Sequence, residues 1–151
     1  MKNSLLSQQL NALLENEKNL TANLANASAL LAESLDEINW VGFYLYDEKQ
    51  NELVLGPFQG KVACMHIEIG KGVCGTAFAL QKTQRIKNVH DFPGHIACDS
   101  ASMSELVIPL SSSTQKWGVL DIDSPIVGRF TNDDAILIND FAEILIKHLP
   151  S

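Results

Sequence analysis

Residues 39–56, which read NWVGFYLYDEKQNELVLG, decide the fold of this chain. Residues 39–46 alternate with a period of two and are rich in aromatic and β-branched side chains, which is typical of a β-strand. The polar run 47–51 predicts a turn, and residues 52–56 predict the returning strand. A short turn can join only antiparallel strands, so the segment predicts an antiparallel hairpin.

Helices flank this hairpin at both ends of the chain. Residues 4–35 carry leucines at helical spacing, and the polar run 15–19 divides them into two helices, the second capped by Asn19 or Thr21. A C-terminal helix begins at TNDD (131–134), which matches the capping pattern [ST]-x-x-[DE]. The other predicted elements are a short helix at 73–80 and strands at 65–69, 85–88, 105–110 and 116–123. The order predicts one α+β domain over residues 1–151, with helices packed on a mainly antiparallel sheet.

Composition and charge narrow the possible partners. The chain has 151 residues, 46% of them hydrophobic, which suffices for a core without disulfides or metals. The net charge of −7 argues against nucleic acid and anionic lipid as partners. No apolar run is long enough to span a membrane and the N-terminus lacks a secretory pattern, so a cytoplasmic protein is expected. The leucine-rich N-terminal helices offer a surface through which two chains could form a homodimer.

Two carboxylates stand out on the last predicted strand. Asp121 and Asp123 share one face of residues 116–123, above Val119 and Trp117, because alternate side chains of a strand point the same way. A hairpin loop with an odd residue count adds Glu105 to that face. Such a face is often simply exposed to water. Three carboxylates in a pocket would instead bind an ammonium group and hold a proton.

A glycine-rich segment and several metal-binding residue types invite other interpretations. Residues 70–75 match G-x-G-x-x-G, but a dinucleotide fold needs repeated βαβ units, and this chain is built of hairpins. We therefore expect a tight turn into a helix. The cysteines and histidines show neither the Cys-x-x-Cys nor the His-x-x-x-His spacing of zinc sites, so no metal is expected.

The chain has three cysteines, Cys64, Cys74 and Cys98. An odd number without a secretory signal argues against a structural disulfide framework. Cys74 is expected to be a buried core residue of the short helix, and Cys64 lies near a strand start. Cys98 lies in the long polar loop 89–103, where an exposed thiol can react. His95 would lower its pKa and Asp99 would raise it, so the net direction stays open.

Six motifs along the chain together resemble the free methionine-(R)-sulfoxide reductases, which are catalytic GAF domains. They are NWVGFY (39–44), GPFQG (56–60), GVCG (72–75), HIACD (95–99), SELVIP (104–109) and GVLDIDS (118–124). The resemblance implies a GAF-type fold, with the N- and C-terminal helices packed on one face of the sheet and a ligand pocket on the other. It also implies an enzyme without a cofactor that acts on free methionine sulfoxide and is recycled by thioredoxin.

Site roles follow from the same resemblance, position by position. Cys98 matches the cysteine that attacks the sulfoxide sulfur, Cys64 the resolving cysteine that forms a disulfide with it, and Cys74 a secondary participant. Trp40 matches the ring that packs on the substrate methyl group. Glu105, Asp121 and Asp123 match the carboxylates that bind the ammonium group and protonate the sulfoxide oxygen. The alternative functions are a GAF sensor without catalysis and a zinc-bound interaction module.

Overall fold

The computed structural model describes residues 4–94 and 101–150. Its helices are α1 (Leu5–Leu14), α2 (Leu20–Ser34), α3 (Gly72–Leu80) and α4 (Asn132–Lys147), with a short 3-10 turn at Val89–Asp91. Its strands are β1 (Trp40–Asp47), β2 (Glu52–Gly60), β3 (His66–Glu68), β4 (Gln84–Ile86), β5 (Ser104–Ser111) and β6 (Lys116–Ser124). Every element predicted from the sequence is present, with boundaries shifted by a few residues.

The six strands form one antiparallel sheet in the order β3-β2-β1-β6-β5-β4. The predicted β1–β2 hairpin lies within it, and β6 covers the other edge of β1. Strand β2 continues beyond the predicted end at Gly56 as far as Gly60. Gly42 pairs with Phe58 and Tyr44 with Leu55, so β2 carries an extra residue there, and this bulge accommodates Pro57 within a strand.

The sheet separates two apolar clusters. On one face α1, α2 and α4 bury a large core that includes Leu10, Leu31, Phe43, Ile122 and Phe141. On the other face α3 packs over a smaller cluster that includes Trp40, Tyr44, Val73, Val107 and Val119. The N- and C-terminal helices therefore share one face, as the resemblance implied, and α3 covers part of the other.

Side chains fix the beginnings of two helices. The Asn19 side chain accepts a hydrogen bond from the Ala22 amide at 2.9 Å, so Asn19 rather than Thr21 caps α2. At α4, Thr131 accepts from the Asp134 amide at 3.1 Å, and the Asp134 carboxylate accepts from the Thr131 amide at 2.8 Å. This reciprocal pair is the predicted capping box.

Trp117 departs from the strand alternation expected of it. The prediction that it lies below Asp121 and Asp123 is wrong, because Trp117 packs against the core on the helical face. The β5–β6 register shifts next to Ser111, and Gly118 has a φ of +147°. A Cβ at Gly118 would collide with the carbonyl oxygen of Tyr44, so only glycine fits this close crossing.

Across residues 4–94 and 101–150, no helix combines the length and the apolar character needed to cross a bilayer.

Candidate active site

Three carboxylates meet on the face of the sheet that α3 covers. Glu105 on β5 pairs with Asp123 on β6, and Asp121 lies two residues before Asp123 on the same face. Glu105 and Asp121 are only 7% and 5% exposed, and Asp123 is half-buried. The prediction that Glu105 joins the two aspartates is confirmed. The alternative of a water-exposed face is wrong, since two of the three side chains are buried.

Glu105, Asp121 and Asp123 form a carboxylate cluster, and burial and mutual repulsion raise the pKa of two of its members, Glu105 and Asp121. Burial, followed by the charge of Asp123, raises the pKa of Glu105 to about 8. Burial, followed by the charge of Glu105, raises the pKa of Asp121 well above its usual range. Glu105 therefore holds a proton at neutral pH. Asp121 Oδ1 is buried and has no hydrogen-bond partner in the described part of the chain, which leaves an acceptor for a ligand donor.

Cys74 lies in the first turn of α3 and faces the same cluster. Its Sγ donates a weak hydrogen bond to Glu105 Oε2 at 3.8 Å. Burial first, and then the charges of Asp121 and Glu105, raise the pKa of this thiol. The predicted burial of Cys74 is confirmed, and its sulfur is protonated at neutral pH.

The same atoms form a set of candidate metal ligands. One ligand atom each from Cys74, Glu105 and Asp121 lie within 4.8 Å of one another. Among the described residues, this is the group of His, Cys, Asp and Glu side chains whose ligand atoms are close enough to hold an ion. The group contains no histidine, although histidines are among the zinc ligands considered from the sequence. The expectation that no metal is bound stays a prediction.

A glycine turn places Cys74 at this position. Gly70 and Gly72 have φ of +86° and +62°, and the Gly70 amide donates to the Gly75 carbonyl at 2.9 Å. A Cβ at Gly75 would lie 2.5 Å from the Glu68 carbonyl oxygen, so glycine is needed for the close approach. The segment 70–75 is a tight turn into α3, as predicted.

Stacked rings from β1 and β2 form a wall beside the carboxylates. Trp40, which pairs with Asp123 across the β1–β6 ladder, stacks on Phe58 with centroids 5.1 Å apart and on Tyr44 at 5.8 Å. Its Nε1 donates to the Lys61 carbonyl at 3.1 Å. Gly60 has a φ of +142°, and a Cβ there would lie 2.5 Å from Trp40 Cδ1, so this glycine makes room for the indole. These contacts fix the orientation of the ring.

Cys64 lies in loop 61–65, between β2 and β3 and close to a strand start as expected. It is half-buried and disulfide-bonded. The Tyr44 hydroxyl donates to the Cys64 carbonyl at 2.9 Å, which ties the loop to the sheet. Cys98, the expected nucleophile, lies outside the described residues, as do His95 and Asp99.

Known proteins resemble the chain along nearly its whole length. The profile of the GAF domain family matches residues 21–145. Free methionine-R-sulfoxide reductase of Escherichia coli is 57% identical over 129 residues, which cover 85% of this chain and 77% of that protein. This chain belongs to the free methionine-R-sulfoxide reductase family of GAF domains.

Solved structures agree with membership in the free methionine-R-sulfoxide reductase family. The structure of fRMsr of Staphylococcus aureus in complex with substrate is 51% identical, with a TM-score of 0.90 and coverage of 97% of this chain and 94% of that one. The free methionine-R-sulfoxide reductase of Neisseria meningitidis in complex with its substrate is 44% identical, with a TM-score of 0.91 and coverage of 95% and 85%. These relatives favour the enzyme over the sensor.

Three residues of the candidate site were not singled out from the sequence. Tyr44 lies four residues after Trp40 on β1, so the period of two already placed both rings on one face. Phe58 and Gly60 belong to the part of β2 beyond its predicted end. A longer β2 would have brought both of them opposite Trp40 and Gly42.

Proposed function

We propose that this chain reduces free methionine-R-sulfoxide to methionine with its own thiols. The observation that carries the proposal is the buried carboxylate cluster, in which Asp123 pairs with Glu105 on one side and with Trp40 on the other. A sulfoxide sulfur becomes electrophilic when its oxygen receives a proton or a hydrogen bond. A buried acid with a pKa of about 8 can supply that proton at neutral pH.

Substrate binding is proposed to divide between the acids and the ring. Asp121 and Asp123 would accept hydrogen bonds from the substrate ammonium group, and the unpartnered Asp121 Oδ1 supports this assignment. Glu105 would point its proton at the sulfoxide oxygen. Trp40 would pack on the methyl group and hold the sulfur in place. A methionine sulfoxide within a peptide lacks the ammonium group, so this site favours the free amino acid.

The proposed chemistry uses two cysteines and one molecule of dithiol reductant. The Cys98 thiolate attacks the substrate sulfur, the sulfoxide oxygen passes to Cys98 as a sulfenic acid, and methionine leaves with two electrons gained. The Cys64 thiol then attacks the sulfenic sulfur, forming a disulfide and releasing water. Thioredoxin is the proposed reductant, and exchange with its two thiols restores both cysteines.

The state of the cysteines supports this pairing. Cys64 is disulfide-bonded and Cys74 is free, in a chain with three cysteines, so Cys98 is the partner that we propose for Cys64. Cys74 is protonated beside Glu105, and we propose a secondary role for it. A disulfide that must be reduced in each cycle suits the cytoplasm, where thiols are kept reduced. We also propose that residues 1–151 act as one domain and form homodimers through the N-terminal helices.

Thiol counting tests the proposed function. The reduced chain, incubated with free methionine-R-sulfoxide and no reductant, should lose two thiols for each methionine formed. Cys98→Ser should form no methionine, whereas Cys64→Ser should form about one per chain and then stall, because its sulfenic acid cannot close a disulfide. The S-diastereomer is the matched control. An unchanged thiol count with the R form would contradict the enzyme and favour the sensor.

A further inference from the structure

Loop 61–65, which carries Cys64, is held to the sheet by three of its backbone carbonyls. The Lys61 carbonyl accepts from Trp40 Nε1 at 3.1 Å, and the Cys64 carbonyl accepts from the Tyr44 hydroxyl at 2.9 Å. The Met65 carbonyl accepts from the Leu55 amide at 2.9 Å. These bonds come from two neighbouring strands, β1 and β2. The backbone of the loop is therefore held in place relative to the sheet.

Two of those side chains are large, apolar and turned to solvent. Val62 is 88% exposed and Met65 is 68% exposed. Among the described large hydrophobic residues only Leu5, at 71%, falls between them, so two of the three most exposed apolar side chains flank Cys64. Single exposed apolar residues are common on protein surfaces. Val62 and Met65 lie on the two sides of a disulfide cysteine, so a partner that approaches Cys64 can contact both.

We propose that Val62 and Met65 form the docking surface for a dithiol protein reductant of the thioredoxin class, and this rests on the proposed function. A small polar thiol gains little from two apolar side chains. A protein can cover them and bury their apolar area in the same step that brings its thiolate to Cys64. The surface therefore selects a protein partner over small thiols.

Docking would place the exchange reaction at Cys64. The reductant thiolate attacks the Cys64 sulfur, the enzyme disulfide breaks, and its other sulfur leaves as a thiolate that takes up a proton. The second thiol of the reductant then attacks the mixed disulfide and releases the Cys64 thiol. The enzyme disulfide gains two electrons and two protons, and the reductant departs as a disulfide.

The test compares two reductants on the double variant Val62→Ser/Met65→Ser. Turnover is measured with thioredoxin, its reductase and NADPH, and separately with dithiothreitol. The expected result is a roughly tenfold fall in kcat/KM for thioredoxin, equivalent to about 1.4 kcal/mol, and unchanged kcat/KM for dithiothreitol. Leu80→Ser is the matched control, because Leu80 is also an exposed apolar residue but lies at the end of α3. It should leave both values unchanged.

Two outcomes would overturn the docking surface. One is full retention of kcat/KM for thioredoxin in the double variant. The other is an equal fall with both reductants, which would mean that the substitutions disturb the disulfide itself. Methionine release in a single turnover, started from the reduced chain without reductant, tests the proposed function separately. Failure of that release in the unsubstituted chain would refute the function, whatever the two reductants show.

Discussion

Replacing Glu105 by glutamine removes an ionisable group from the buried site while keeping its shape. Burial raises the pKa of Glu105 from an ordinary 4.5 to about 8. Between these values the folded chain binds a proton that the unfolded chain has released, so folding becomes less favourable as the pH rises. The slope for one such group is about 1.4 kcal/mol per pH unit. As the pH rises from about 5 to about 7, the proton bound by Glu105 should therefore lower the free energy of unfolding by roughly 3 kcal/mol.

Urea denaturation at several pH values measures this slope. For Glu105→Gln, the free energy of unfolding should fall less steeply as the pH rises over the same range. At about pH 7 this variant should be more stable than the unsubstituted chain. Its turnover should fall by about a hundredfold, because an amide cannot protonate the sulfoxide oxygen. Glu143→Gln, an exposed carboxyl on α4, is the control and should leave the slope unchanged. Equal slopes for Glu105→Gln and the unsubstituted chain would refute the assignment of a buried proton to Glu105.

Three further substitutions test separate contacts. Tyr44→Phe keeps the stack on Trp40 but loses the hydrogen bond to the Cys64 carbonyl. Disulfide formation, measured by thiol titration, should therefore slow about fivefold, while the rate of methionine release stays the same. An unchanged closure rate would show that the bond does not position the loop. Gly118→Ala should lower the free energy of unfolding by about 2–3 kcal/mol, because the φ of Gly118 is +147° and an added Cβ would meet the Tyr44 carbonyl. An unchanged urea midpoint would contradict this prediction. Asp123→Asn should lower kcat/KM about tenfold or more and change stability much less, and the reverse ranking would argue against a contact with the substrate ammonium.

The elements that the sequence predicts well are those whose signals are local. The β1–β2 hairpin, the capping box at Thr131 and the turn at 70–75 each depend on a few neighbouring residues, whereas the sequence leaves the cap of α2 open between Asn19 and Thr21. The predicted end of β2 at Gly56 is wrong, because Gly56-Pro57 is typical of a strand terminus but β2 extends to Gly60. The bulge between the Gly42 and Tyr44 pairs lets the strand continue, and only pairing with β1 shows this.

The site could be predicted where strand geometry fixes it. The period of two and the β5–β6 register place Glu105 beside Asp121 and Asp123, and the structure confirms that arrangement. Trp117 breaks the same rule because of the irregular register and Gly118, which no periodicity reveals. The bond from Tyr44 to the Cys64 carbonyl depends on the path of loop 61–65, a long-range feature that local patterns do not encode.

Alternate residues of β6 serve unrelated purposes. Leu120 and Ile122 are fully buried among the helices, while Asp121 and Asp123 belong to the opposite face. The unfavourable free energy of burying the acids is thus confined to one side of the sheet. Burial of apolar side chains on the other side offsets it. Substitutions at alternate positions of β6, such as Asp121 and Asp123, can therefore change the ligand preference of this fold, while Leu120 and Ile122 keep the packing of the core.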